Sequence, residues 1–361
     1  MTTRLAEADR LSAVLAELDD DGLQALIATA EREAIGIGGS TMTVRLGGGK
    51  AFVKRLPLTA AEQADPNATT SCLDLPFVSH YGLGSLSHAV GRELTAHQLT
   101  SGWVRSGAAA AFPLLLGWRV LGAPCAMDLS EFDGDAAPRR WGRHWPEVEK
   151  RLAAMQGASV SLLLFLEYVP ETLGSRLRRS VAEGTAATVF PDAVEQLVRA
   201  TSWMGRQGFQ HFDVHPGNIL VHEGRLLLTD FGLALHRGFD LTAEEEAGMA
   251  AHEGYDHDCS LMHLFHWTLF ELGYTSARER LDLLRHAATD AAALAQVRAV
   301  LGTGADLIAR HAGTAVRMTD MFAALLQDAT GPGYDNTQDT AATDGRPQRP
   351  TDPAPCRPRH A

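Results

Sequence analysis

The chain has 361 residues, 45% of them hydrophobic and 21% charged, which suits one large soluble domain or two smaller ones with a sizeable core. A formal net charge of −12 argues against a nucleic-acid binder, so an anionic ligand has to be held by a local device such as a lysine, a metal ion or backbone N–H groups. Cys72, Cys125, Cys259 and Cys356 form no C-x-x-C pair, which argues against a disulfide framework or a cysteine zinc site and suits a reducing cytoplasm.

Residues 4–18 carry Leu11, Val14, Leu15 and Leu18 at helical spacing, without the basic region and apolar run of a signal peptide. "DDDG" at 19–22 breaks that pattern and "LQALIATAER" starts a second helix, so 1–33 is read as a helical segment. From Ala34, "AIGIGGSTMTVRLGGGKAFVKRL" reads as three strands separated by glycine turns, with Lys54 in the last. Residues 57–87 are rich in turn formers and take no assignment. "SHAVGRELTAHQLTSGWV" is a helix containing Glu93, and "AAFPLLLGWRVLG" gives one or two buried strands. No apolar run is long enough to span a bilayer, so no membrane association is expected.

A polar insertion over 117–158 includes a helix in "WPEVEKRLAAMQG". The apolar run "SLLLFLEYV" at 161–169 has strand length and is closed by Pro170. Helical patterns dominate from 169 to 330, and 331–361 lack the apolar content to fold, which predicts a disordered tail. Strands thus precede residue 170 and helices follow it. That predicts an α+β chain with two lobes, 34–168 and 169–330, and a hinge near 168–172.

One stretch interrupts the helical half: "HFDVHPGNILVHEGRLLLTDFG" at 211–232. His-x-Asp, an Asn five residues after Asp213, and Asp-Phe-Gly ending a hairpin are individually weak signals. In this order they match what phosphoryl transfer from ATP needs. Asp213 would be the carboxylate that faces an acceptor hydroxyl. Asn218 and Asp230 offer hard oxygens to magnesium, and the Glu223-Gly224 turn brings them together.

With these motifs the chain resembles the protein-kinase-like superfamily over roughly residues 34 to 275, and "HPGN" at 215–218 is similar to the aminoglycoside and choline phosphotransferases and the ABC1-type kinases. The resemblance implies a bilobal kinase fold with ATP between the lobes. It also implies roles upstream. Gly36, Gly38, Gly39 and Ser40 stand where a glycine-rich loop covers the phosphates, with Thr41 in place of the usual third glycine. Lys54 would contact the α- and β-phosphates, with Glu93 as its partner and Glu62 as a rival. In "FLEYV", Leu166 would be the gatekeeper and the backbone of Glu167 and Val169 would face adenine, with Leu220 also among the cofactor-binding residues.

The chain departs from the pattern in places. Phe212 replaces the arginine of His-Arg-Asp, and His215 stands where protein Ser/Thr kinases carry a lysine. No Ala-Pro-Glu follows Asp230, and Asp258 is read as the structural aspartate of the next helix. His252, His257, His263 and His266 lack a ligand set at zinc spacing and read better as packed or polar helix residues. The expected activity is therefore an ATP- and magnesium-dependent kinase acting on Ser/Thr of a protein or peptide. A small-molecule kinase and a nucleotide-binding pseudokinase are the alternatives. The insertion is either a cover for the cleft or a surface elaboration, and the sequence leaves the oligomeric state open.

Overall fold

The chain begins with two helices, α1 (Thr2–Ala16) and α2 (Asp20–Ala28). The "DDDG" break is the start of the second: Asp19 accepts from the Gly22 amide at 2.8 Å, and Asp20 and Asp21 lie in the first turn, where carboxylates complement the helix dipole. Contrary to the sequence expectation, α2 stops at Ala28, and Glu31 and Arg32 open a strand. Pairing with Thr43 and Met42 outweighs the helical pattern there. The structure is a computed structural model that describes residues 2–335 apart from 72, 73, 85 and 87, so Cys72, Cys356 and residues 336–361 of the expected tail lie outside it.

Five antiparallel strands form the main sheet: β1 (Glu31–Gly36), β2 (Gly39–Leu46), β3 (Gly49–Leu58), β4 (Leu115–Leu121) and β5 (Val160–Glu167), in the order β1-β2-β3-β5-β4. Alternation along β3 and β5 sends Leu56, Leu58, Leu162 and Leu164 to one face, where they pack with Val90 and Leu94 of helix α3 (Val90–Ser106). The other face carries Met42, Val44, Ala51 and Val53 into the main core with Leu11, Leu15 and Leu23 of the leading helices. Gly117 permits the close approach of α1, because a Cβ there would lie 2.9 Å from the Leu15 side chain.

The insertion holds helices α4 (Ala136–Trp141) and α5 (Trp145–Gln156). They build a small core of their own from Phe132, Trp141, Val148 and Met155, which also takes in Leu75, Leu86 and Ala329, with Ile37 packed against it. After β5 come α6 (Leu173–Ala182) and α7 (Ala186–Gln207), then the short strands β6 (Phe209–Gln210), β7 (Ile219–His222), β8 (Arg225–Leu228) and β9 (Leu235–His236). Helices α8 (Ala243–Ala251), α9 (Tyr255–Glu271), α10 (Ala277–Ala287), α11 (Ala295–Leu301) and α12 (Gly304–Gln327) complete the described chain. Buried Leu261, Leu264, Phe265 and Leu269 make α9 part of the main core. No helix among the described residues is long and apolar enough to cross a membrane. Residues 331–335, expected to be tail, are engaged: the Tyr334 hydroxyl donates to Asp258 at 2.9 Å and its amide to the Tyr81 hydroxyl at 3.0 Å.

Candidate functional site

Lys54 lies in the middle of β3, opposite Leu164, on the face that meets α3. Its ammonium sits 2.7 Å from Glu93 Oε1 and 2.6 Å from Asp230 Oδ1. Burial on its own would lower the Lys54 pKa, but Asp230 and then Glu93 raise it above the ordinary value. For Asp230, burial works upward, and the Lys54 charge overcomes it and holds the carboxyl at about 2. Burial pushes the Glu93 carboxyl up despite Lys54.

Glu62 does not compete for the lysine. It accepts from the Thr59 amide and hydroxyl and from the Val90 amide, and pairs with Arg151 of α5 at 3.2 Å. It therefore caps α3 from outside the helix, satisfying a first-turn N–H.

The hairpin β7–β8 turns through Glu223 (φ 50°) and Gly224 (φ 79°), as a two-residue hairpin loop requires. Ile219 pairs with Leu228, and the Thr229 amide donates to the Asn218 carbonyl at 3.0 Å, so the residues flanking the hairpin are neighbours. The Asn218 amide nitrogen donates to the Asp213 carboxylate at 2.9 Å and to its carbonyl at 3.2 Å. That leaves the side-chain oxygen of Asn218 as an acceptor. Asp230 adopts φ 67° directly after the hairpin. Phe231 behind it is fully buried, edge-on to Phe209 at 5.5 Å and next to His97 of α3 at 4.7 Å.

Asp213 is positioned by its predecessors. His211 Nε2 donates to the Thr229 carbonyl at 3.0 Å, which leaves Nδ1 to accept from the Asp213 amide at 3.3 Å. Phe212 holds φ 66°, an uncommon conformation for an aromatic residue, and packs 5.2 Å from Tyr255 and 5.6 Å from Phe77. The backbone amides of His211 and Phe212 both donate to Asp256, at 2.7 and 2.8 Å. This corrects the sequence reading of Asp258, which instead meets His257 Nδ1 and the Tyr334 hydroxyl. Two residues along a helix turn a side chain by roughly 200°, so only one of the pair can face the loop.

His215 Nε2 stands 3.8 Å from Asp213 Oδ1, while Nδ1 accepts from the Gly217 amide at 3.1 Å. From the other side comes Gly82, at φ 73°, where a Cβ would lie 3.5 Å from Asp213 Oδ1. The turn-rich segment that resisted assignment therefore walls the loop, with Phe77, His80 and Tyr81 among its packed residues.

Gly36 and Gly39 pair across the first glycine turn. Gly39, at φ 142°, admits no side chain, since a Cβ would meet the Arg55 carbonyl at 2.1 Å; Gly38 is open. Ser40 lies opposite Arg55, so its side chain faces away from Lys54, toward Cys125. Thr41 is the residue in register with Lys54. Leu166 is buried opposite Phe52, and Val169 is buried beyond it. The Glu167 amide donates to the Leu114 carbonyl, and its carboxylate takes Arg4 of α1 at 2.6 and 2.7 Å. Leu220 bridges Thr172 next to that strand end.

The four histidines weighed as zinc ligands have separate partners. His252 bonds the Gly248 carbonyl, His257 meets Asp258, His263 lies beside His215 and Phe322, and His266 meets the Thr319 hydroxyl. A different group, His80, His88 and Glu245, brings three ligand atoms within 4.8 Å of one another. Its imidazoles are stacked at 3.9 Å and 8°, so one ion at roughly 2 Å from each nitrogen cannot lie in both ring planes. Arg92 already pairs with Glu245 there, at 2.5 and 2.9 Å. This is a buried ion pair joining α3 to α8, and sequence spacing holds no sign of it.

Lys54, Glu93 and Asp230 thus meet in one cluster, and Asp213 with Asn218 in another that the hairpin connects to it. No protein-family model matches the chain, and a comparison with curated proteins finds no match.

Proposed function

We propose that the protein is an ATP- and magnesium-dependent phosphotransferase with a bilobal protein-kinase-like architecture, moving the γ-phosphate of ATP to a hydroxyl, in the first instance Ser or Thr of a protein or peptide. The observation that carries this reading is the meeting of Lys54, Glu93 and Asp230 within 2.7 Å contacts, next to a loop on which Asn218 orients Asp213. A structural role alone leaves unexplained why Asp230, with a side chain 41% exposed, keeps a strained backbone and an oxygen free of Lys54.

The donor set fits magnesium: one Asp230 carboxylate and the Asn218 amide oxygen are hard ligands of the kind that leave room for waters and phosphates. Magnesium bound with ATP would supply charge neutralisation on the phosphates. Lys54, kept protonated by two carboxylates, orients phosphate oxygens. Asp213, its carboxylate turned by Asn218, receives the proton of the attacking hydroxyl.

Crowding at Asp213 favours a second acceptor. The Gly82 backbone comes so near Asp213 that a Cβ there would lie 3.5 Å from its Oδ1, and the little room this leaves suits a small hydroxyl compound.

Transfer from γ-labelled ATP, with magnesium and a lysate of the source cell, tests the reading. Label should appear on an acceptor with the native chain and fall about a hundredfold or more in Asp213→Asn and Asp230→Asn. Label on a polypeptide supports the first acceptor, and label on a small molecule the second. Binding of ATP without any transfer would leave a nucleotide-binding scaffold and end the catalytic proposal.

A further inference from the structure

On the reverse of the sheet from Lys54, a cavity of about 460 Å³ opens between α2, the β2–β3 pair and the turn after β4. Two arginines line it, Arg32 on β1 and Arg55 on β3, together with the Gln24 amide and the buried Ser40 hydroxyl. Ile27 and Met42 supply an apolar wall. No carboxylate is among the described residues that line it, in a chain that carries 44 acidic residues against 32 lysines and arginines.

The known partners of Arg55 are neutral: its Nε donates to the Ser161 hydroxyl at 2.9 Å and one Nη to the Ala123 carbonyl at 3.1 Å. Ser161 itself donates to the Ala123 carbonyl at 2.9 Å, so the guanidinium plane is fixed by two anchored groups. Arg32 makes no ion pair among the described residues. Burial lowers the Arg55 pKa from its ordinary value, with Cys125 working against it and Arg32 adding to it. A fixed guanidinium fork beside a second arginine and a hydroxyl is suited to a planar or tetrahedral oxyanion. The volume lies within the range of small-ligand sites, and the apolar wall leaves room for more than a bare ion.

We propose that this cavity binds a small organic anion, a phosphate or carboxylate group on an apolar body, with the oxyanion on Arg32 and Arg55 and the body against Ile27 and Met42. Ser40, which the sequence places in the glycine turn, serves this back cavity with its side chain. Because Ser40 and Arg55 are paired residues of the strands that carry the glycine turn and Lys54, an occupant stiffens that hairpin from behind.

Titration calorimetry on the full chain tests the site, with phenyl phosphate and benzoate as probes and neutral benzyl alcohol as control. The expected result is saturable one-to-one binding of at least one anion and none of the alcohol. Arg32→Gln, at an exposed strand position, should keep the native melting temperature and weaken binding about tenfold or more. Lys54→Met, measured below a melting temperature determined for the variant itself so that the chain is folded, should leave it unchanged, since the two faces of the sheet are separate. No saturable binding of either anion, equal binding of the alcohol, or unchanged affinity in Arg32→Gln would overturn the proposal. So would loss of binding in Lys54→Met, which would move the anion to the Lys54 face.

Discussion

Asp256 shows what a single side chain does for the loop around Asp213. Two backbone amides, one belonging to a phenylalanine at positive φ, are held by one buried carboxylate whose pKa burial raises despite those bonds. Asp256→Ala leaves both N–H groups unpaired in the interior and should cost about 2–4 kcal/mol in urea denaturation. Asp258→Ala removes one bond each from His257 and Tyr334, neither fully buried, and should cost about 1 kcal/mol or less. Equal losses in the two variants would contradict the assignment. This residue also marks where sequence reading stopped. His-x-Asp, the Asn and Asp-Phe-Gly are local in the chain and legible, because hairpin register places them. Which aspartate of "YDHD" faces the loop depends on the rotational phase of α9, which is set by its packing. The direction of the Ser40 side chain has a related cause: strand alternation turns it to the face opposite Lys54.

At the scale of elements, α3 is the piece that must be aimed, since it brings Glu93 to Lys54. Three devices hold it: Glu62 at its first turn, the Leu94 contact with the sheet, and Arg92 on Glu245 of α8. Both members of the last pair are almost fully buried. Removing one charge strands the other, so Arg92→Met should destabilise the fold by about 3–5 kcal/mol, with Arg92→Met combined with Glu245→Met recovering part of the loss. A double-mutant cycle in denaturant measures this, and a single-variant loss under 1 kcal/mol would show that the pair does not anchor the helix. The Glu93–Lys54 partnership is implied by the resemblance, but the three devices that aim the helix leave no sign in the sequence. The strands and helices announce themselves by periodicity, whereas the described residues between 59 and 89 owe their placement to contacts with α3, α8 and the insertion. Turn-rich chain has no period to read.

For the whole molecule, four desolvated histidines, two buried and two half-buried, set the response to acid. Burial is the main cause that brings His97 and His263 to about 3 and His252 and His266 to about 4. Each of these folded-state values lies below the unfolded value of about 6.5, so the unfolded chain takes up protons first. Stability is therefore full above about pH 6.5 and declines as pH falls toward 4, by up to roughly 1.4 kcal/mol per pH unit for each histidine. The Lys54–Asp230 contact lies outside that window. Asp230 titrates at about 2 when folded against 3.8, so its contribution is lost only below about pH 4. Denaturation curves at pH 8, 7, 6 and 5 should show the decline, and His263→Gln should reduce its slope. A flat profile across that range would count against the desolvated neutral histidines.

The small core beneath the insertion also has a consequence in time. Ile37, at the tip of the first glycine turn, packs against a cluster that includes Leu75, Leu86 and Ala329, residues drawn from three distant parts of the chain. A glycine turn free at its tip lifts on its own, quickly and often. This one cannot rise without parting from that cluster, so the turn, the segment beside Asp213 and the end of the described chain are tied together at one small core. Under the proposed function, that tie makes nucleotide entry at the Lys54 face wait on a core that lies outside the catalytic residues.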